Sequence, residues 1–226
     1  SIAQIAIIWA QTDDGIRGFI VPTDSDGFVA TPIAPKLSMR ASIQCDITLT
    51  DVRLPAEAQL PEARGLRAPF SCLNEARYGI GWGVIGAARD SYATALSSSR
   101  TRMQFNQPIA SFQLTQQKLV DMAIEIEKAQ LLALRLGRLK DAGSLAPHQI
   151  SVAKLSNTRA AIAIAREART ILGGNGVSGE YSPLRHAANL ESVRTYEGTD
   201  EIHTLVLGAH ITGIPAFRNT IIEGAS

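Results

Sequence analysis

Three short segments carry side chains whose types and spacing suit chemistry. In Thr195-Tyr196-Glu197-Gly198-Thr199-Asp200-Glu201 a carboxylate stands between an aromatic ring and a glycine, just ahead of a helical pattern. That order suits a general base, because the ring limits hydration of Glu197 and Gly198 leaves room for a substrate. The same residues also read as a helix start, with Thr199 as N-cap and Asp200 and Glu201 in the first turn. Leu172-Gly173-Gly174-Asn175-Gly176 can turn at positive φ and bring N–H groups to a phosphate, or simply end a helix. Arg102-Met103-Gln104-Phe105, followed by Pro108-Ile109 and Gln113, offers a guanidinium for a phosphate and a ring for a planar ligand. Taken alone, this third segment reads more simply as a solvated arginine beside a core phenylalanine.

Other chemistries find little support. The histidines are His148, His186, His203 and His210, and the two nearest each other lie seven apart without a paired Cys or carboxylate, so no zinc site is expected. Neither Cys45 nor Cys72 has a nucleophile signature, and there is no Gly-x-Ser-x-Gly and no phosphate-loop Lys motif. The 22 basic and 21 acidic residues leave a net charge of +1, which gives no field to hold nucleic acid or an anionic membrane. With 45% hydrophobic residues and mean hydropathy of +0.04, the 226-residue chain has an ordinary globular composition and no apolar run of membrane-spanning length. Two cysteines make no disulfide scaffold, so a reducing compartment is expected.

These segments need elements to position them. Residues 4–10 and 16–21 are strand-like, with hairpin chemistry in Thr12-Asp13-Asp14-Gly15 between them, and a further strand fits Cys45 to Leu49. The chain opens on Ser1 and runs straight into an apolar stretch, so sequence upstream is expected. Prolines punctuate residues 22–69 and then vanish as the period changes. Residues 71–100 carry Leu73, Ala76, Ile80, Val84, Ala87, Tyr92 and Leu96 at helical steps. Four glycines between Gly79 and Gly86 are costly in a helix unless another backbone or a ligand comes close. A polar loop is expected over Ser97–Gln107, then helices from about Ser111 to Asp141, Pro147 to Leu172, and Thr199 to Thr212. Long helices joined by short loops predict an antiparallel bundle.

The combination resembles the acyl-CoA dehydrogenase family, and within it the glutaryl-CoA branch, over essentially the whole chain. The resemblance rests on Cys72-Leu73-Asn74-Glu75-Ala76-Arg77-Tyr78-Gly79-Ile80-Gly81-Trp82-Gly83, on Arg102-Met103-Gln104-Phe105, on Leu172-Gly173-Gly174-Asn175-Gly176, on Arg185-His186-Ala187-Ala188-Asn189-Leu190-Glu191 running to Thr199, and on Ile202 to Phe217. It implies an α+β fold in which residues 1–66 form the later part of a middle antiparallel β domain and residues 67–226 a C-terminal four-helix bundle. By that resemblance, the family's N-terminal helical domain is expected to fall outside these 226 residues. By the same resemblance Glu197 is the base that removes the α-proton of an acyl thioester, and the β-hydrogen leaves as hydride to FAD. Phe70, Ser71, Cys72, Leu73, Asn74, Glu75, Ala76, Arg77 and Gly198 then meet the CoA thioester. Arg102, Phe105, Gln113, Thr170, Ile171, Leu172, Gly173, Gly174, Thr199 and Phe217 meet FAD, several of them across a subunit interface.

Two positions depart from the family. Many relatives have Gln where Thr170 stands, so only its backbone role carries over, and many have Gln where this chain has the acidic Glu201. The implied reaction is oxidation of glutaryl-CoA with decarboxylation to crotonyl-CoA, the electrons passing to an electron-transfer flavoprotein. A homotetramer is implied, in the bacterial cytoplasm or, in a eukaryote, the mitochondrial matrix. Alternatives are a dehydrogenase of another short-chain acyl-CoA, or a truncated scaffold without catalysis.

Overall fold

The structure is a computed structural model, and it describes residues 2–216; Phe217 lies outside the described residues. The chain divides into two compact units between Glu75 and Ala76.

In the first unit, β1 (Ile5–Thr12) and β2 (Gly15–Pro22) pair antiparallel from Ile5↔Pro22 to Thr12↔Gly15, so Asp13 and Asp14 form the turn. Strands β3 (Phe28–Pro32) and β4 (Cys45–Leu49) make a second antiparallel pair, and β5 (Gln59–Arg64) adds to the far side of β2. Val21 and Ala63 are the buried apolar side chains here, while Ile5, Ile7 and Ile20 stand exposed.

Helix α1 (Arg67–Thr101) begins in the first unit and runs on into the second. It extends past Ser97, where the sequence suggests a loop. The chain then turns through a short hairpin of β6 (Met103–Gln104) and β7 (Gln107–Pro108), with Phe105 at φ +51° and Asn106 at φ +61°. Two successive left-handed residues are what a two-residue hairpin of the right twist requires. The remaining helices are α2 (Gln113–Asp141), α3 (Pro147–Leu172), α4 (Ser182–Val193) and α5 (Asp200–Thr212). Helix α4 is absent from the sequence reading. It starts on Ser182-Pro183, with proline where a helix has no need of an N–H, and it buries Pro183, Ala187, Leu190 and Val193.

The core of the second unit joins Val84, Ala88 and Ala95 of α1 to Met122 and Ile126 of α2, Ala161 and Ala165 of α3, and Leu190 of α4. The apolar stripe of α2, formed by Leu119, Met122, Ile126, Ala129, Ala133 and Leu136, is buried throughout. In α1 the buried face is rotated from the apolar stripe toward Gly81, Ala88, Ser91, Ala95 and Ser99. Small residues win there because they let helices approach closely: a Cβ on Gly81 would lie 3.3 Å from that of Ala153. Buried Asn157 of α3 seals the crossing, its Nδ2 donating to the carbonyls of Gly81 (3.0 Å) and Ala129 (3.2 Å). Among the described residues no helix is long and apolar enough to cross a membrane.

Candidate active site

The turn between α4 and α5 holds Glu197. Its φ is +55°, a left-handed conformation that costs a side-chain-bearing residue about 1–2 kcal/mol, and Gly198 follows at +90°. Two cations grip this turn from below. Arg77 of α1 donates from Nε to the backbone carbonyl of Glu197 at 2.6 Å. Lys154 of α3, only 1% exposed, donates from Nζ to the carbonyls of Val193 (3.0 Å), Tyr196 (2.8 Å) and Gly198 (2.6 Å). Burial is the main cause that pulls the Lys154 ammonium down to a pKa of about 8; Asp200 opposes it, Arg77 adds to it and Glu197 opposes it.

The next shell is polar and buried. His203 Nδ1 lies 3.0 Å from Ser151 Oγ, and burial together with the charges of Lys154 and Arg77 lowers its pKa to about 4, so the ring is neutral. Asp200 accepts from Arg159 Nε and Arg194 Nη2, each at 3.0 Å. Thr199 caps α5 as the sequence suggests, its Oγ1 accepting from Ile202 N at 3.3 Å. Burial and the neighbouring Glu197 raise the Tyr196 phenol above its usual range. Within this shell two side-chain atoms are buried with no hydrogen-bond partner: Glu197 Oε2 and His203 Nε2. Buried polar atoms are nearly always satisfied, so a partnerless carboxylate oxygen is free to take a hydrogen bond or a proton from a bound molecule.

Tyr196 also borders a groove of about 400 Å³ between α1 and α4, lined on the α1 side by Ala76, Gly79, Ile80 and Gly83. Three of the four glycines that look costly in the sequence are thereby accounted for: Gly81 meets α3, and Gly79 and Gly83 widen the groove, while nothing approaches Gly86. Of the expected thioester segment, Ala76 and Arg77 belong to this site. Phe70, Ser71, Cys72, Leu73, Asn74 and Glu75 occupy the first turns of α1 in the other unit, with Phe70, Ser71, Cys72 and Glu75 exposed.

A second groove of about 760 Å³ gathers Phe105, Gln113, Thr170 and Ile171 with Lys118 and Phe112. The hairpin turn leaves Phe105 87% exposed, edge-on to Phe112 at 6.1 Å. Arg102 reaches toward the glycine turn, its Nη1 3.9 Å from where a Cβ on Gly173 would sit. Gly173 is at φ +59°, and nothing crowds Gly174. An exposed ring, a guanidinium and an open glycine backbone form a donor set that fits a planar ligand bearing a diphosphate. Two expected members sit elsewhere: the Leu172 side chain is buried in the core, because α3 turns it inward, and Thr199 stands at the cap of α5. Among the described residues no group of three or more His, Cys, Asp or Glu could hold a metal ion.

The sequence reading missed Lys154, His203, Ser151 and Asp200 as parts of the site. One signal was available for Lys154, a single lysine in phase with the apolar positions Ile150 and Ala161 of α3.

An α+β chain whose bundle holds a carboxylate in a turn that borders an apolar groove, with a separate diphosphate-type cradle, is a recognisable class. Residues 63–212 match the family described as "Acyl-CoA dehydrogenase, C-terminal domain". The chain belongs to the acyl-CoA dehydrogenase family. It is 34% identical over 215 residues to human mitochondrial short-chain specific acyl-CoA dehydrogenase, spanning 92% of this chain and 52% of that protein. Crystal structures of a glutaryl-CoA dehydrogenase from Mycobacterium smegmatis, one of them in complex with FADH2, superpose with TM-score 0.95 at 59% identity, covering 96% of this chain and 56% of theirs. The chain thus spans about half the length of the relatives it matches.

Proposed function

We propose that this chain carries the base and part of the cofactor cradle of an FAD-dependent acyl-CoA dehydrogenase acting on glutaryl-CoA, with decarboxylation to crotonyl-CoA. Residues 1–66 then correspond to the later part of a middle β domain and residues 67–226 to the C-terminal helical domain. The observation that carries the reading is Glu197 Oε2, buried and without a partner in a turn held by two cations. The preference for glutaryl-CoA over other short acyl chains is supported by the 59% identity to a glutaryl-CoA dehydrogenase, against 34% to a short-chain enzyme.

In this reading Glu197 takes the α-proton of the thioester onto its carboxylate. A C–H beside a thioester is a weak acid, so the charge that develops on the thioester oxygen needs a donor, and the backbone N–H of Glu197 serves. One well-placed donor of this kind lowers the barrier by about 3 kcal/mol. Gly198 lets the acyl chain approach, and the apolar wall of Ala76, Ile80 and Val84 excludes water from it. FAD, when bound, accepts the β-hydrogen as hydride. Arg102, Phe105, Gln113, Thr170, Ile171, Gly173 and Gly174 hold it, with Leu172 contributing backbone alone. Electron-transfer flavoprotein is the proposed electron acceptor, and a homotetramer the proposed assembly.

The test is Glu197→Gln in the purified, flavin-loaded protein. The variant is expected to keep its yellow spectrum and lose bleaching by glutaryl-CoA, whereas bleaching at a near-normal rate assigns the base elsewhere. Turnover of glutaryl-CoA against butyryl-CoA decides the acyl chain.

A further inference from the structure

Glu197 has a role in the reading above, but the ammonium beneath it does not. Lys154 is fully buried on α3 and forms no ion pair among the described residues. Burying a cation is costly unless its protons are all taken up. Here they are taken up by the carbonyls of Val193, Tyr196 and Gly198, which bracket the base on both sides. Within that span lie the two left-handed residues, Glu197 and Gly198, whose backbone conformation the chain would not adopt unaided. A hydrophobic side chain at residue 154 would pack the α3 core more cheaply; it would not hold this turn.

We propose that Lys154 is a positioning residue for the base: its ammonium locks the 193–198 turn in the left-handed conformation that presents the Glu197 carboxylate. The inference rests on Glu197 being the base. It assigns the grip to a charged donor, so the grip should loosen when the ammonium loses its proton. The groups facing it are Asp200 and His203 from α5, Arg77 from α1, and, within the turn, Glu197 and the Tyr196 ring at 6.0 Å. Of these, His203 is neutral above a pKa of about 4 and the Tyr196 phenol is raised, which leaves Lys154 to titrate near pH 8.

The experiment compares wild type, Lys154→Met and Lys154→Arg as flavin-loaded proteins, reading flavin reduction by glutaryl-CoA and the affinity for a CoA thioether that has no carbonyl to acidify. Lys154→Met is expected to reduce flavin about 100-fold more slowly, the scale of a misplaced catalytic group. Its affinity for the thioether should change by less than about threefold, because ground-state binding does not use the base. Lys154→Arg, which keeps its charge, should recover about a tenth or more of the wild-type rate. It should also lack the wild-type fall in rate as pH rises through about 8. Met reducing flavin within about threefold of wild type, or an Arg variant with the wild-type pH profile, overturns the proposal. Should the Met variant fail to fold, the pH profiles decide, and a wild type with no break near pH 8 overturns it. A wild type that no acyl-CoA bleaches removes the functional reading and this inference with it, whereas bleaching by wild type and Lys154→Met alike removes the inference alone.

Discussion

Gly198 shows how little freedom the base turn has. At φ +90° it occupies a region that side chains avoid, and a methyl group there would stand 3.0 Å from His203 Nε2 and 3.4 Å from Arg77 Nη2. Arg77 already holds the Glu197 carbonyl, and His203 is pinned to Ser151, so neither yields without disturbing the turn. Gly198→Ala is therefore expected to cost about 1–3 kcal/mol in denaturant unfolding and to slow flavin reduction as well. His203 makes a second expectation at this scale. Burial, Lys154 and Arg77 hold its folded pKa near 4, below the 6.5 of an unfolded histidine. Between those values the unfolded chain binds a proton that the folded chain refuses, so stability falls as pH drops from about 6.5 toward 4 and the effect is complete below 4. Unfolding midpoints measured across that range should decline in wild type and decline less in His203→Gln. An equal decline in both would place the titrating group elsewhere.

Helix α5 is fastened at its first turn by two devices of different strength. Thr199 gives one side-chain acceptor to Ile202 N, an exposed cap whose removal typically costs about 1 kcal/mol. Asp200 is buried and joins Arg159 of α3 and Arg194 at the end of α4 to the start of α5. Both arginines reach solvent when the carboxylate is lost, which puts the cost of Asp200→Ala at about 1.5–3 kcal/mol, the range for hydrogen bonds to charged groups. Denaturant unfolding should rank Asp200→Ala as the more damaging of the two; the reverse order would mean that the arginines do not draw the three helices together. The sequence marks both residues as a helix start, but their unequal weight comes from partners 41 and 6 residues away. The same limit recurs along the chain. Proline at the first position of α3 and glycines after its end mark that helix at Pro147 and Leu172, and Cys45–Leu49 alternates as a strand should. Local chemistry suffices there. Helix α4 escapes notice because its short run is dominated by residues that read as part of a motif, and Lys154 and His203 escape because their roles exist only once α1, α3 and α5 have met. On the site itself, Glu197 and the glycine cradle are legible by residue type, and what holds them is not.

At the scale of the molecule, the bundle shows an unfinished surface. Val120, Ile124, Leu131 and Leu134 of α2 are exposed, Leu131 by 65%, and helical geometry puts the four within an arc of about 80° on one side. Between Val120 and Leu134, Glu127 is the one charged residue inside that arc, and Arg138 follows at the helix's last turn. The opposite stripe of the same helix, Leu119 to Leu136, is buried in the core, so α2 is apolar on two faces and the described residues cover only one of them. An apolar stripe of this kind marks a protein–protein contact, and the proposed assembly of identical copies supplies one. The groove of Phe105 and Gln113 lies at the start of this helix, so packing along α2 would also brace the cradle assigned to the flavin. Ile124→Glu with Leu131→Glu adds two charges to the exposed face and leaves the buried one untouched. The double variant should sediment at a lower mass than wild type, with its far-ultraviolet dichroism unchanged, and should lose flavin on dialysis. If wild type and variant sediment alike, the stripe is not where copies meet, and the cofactor cradle must be braced from another face.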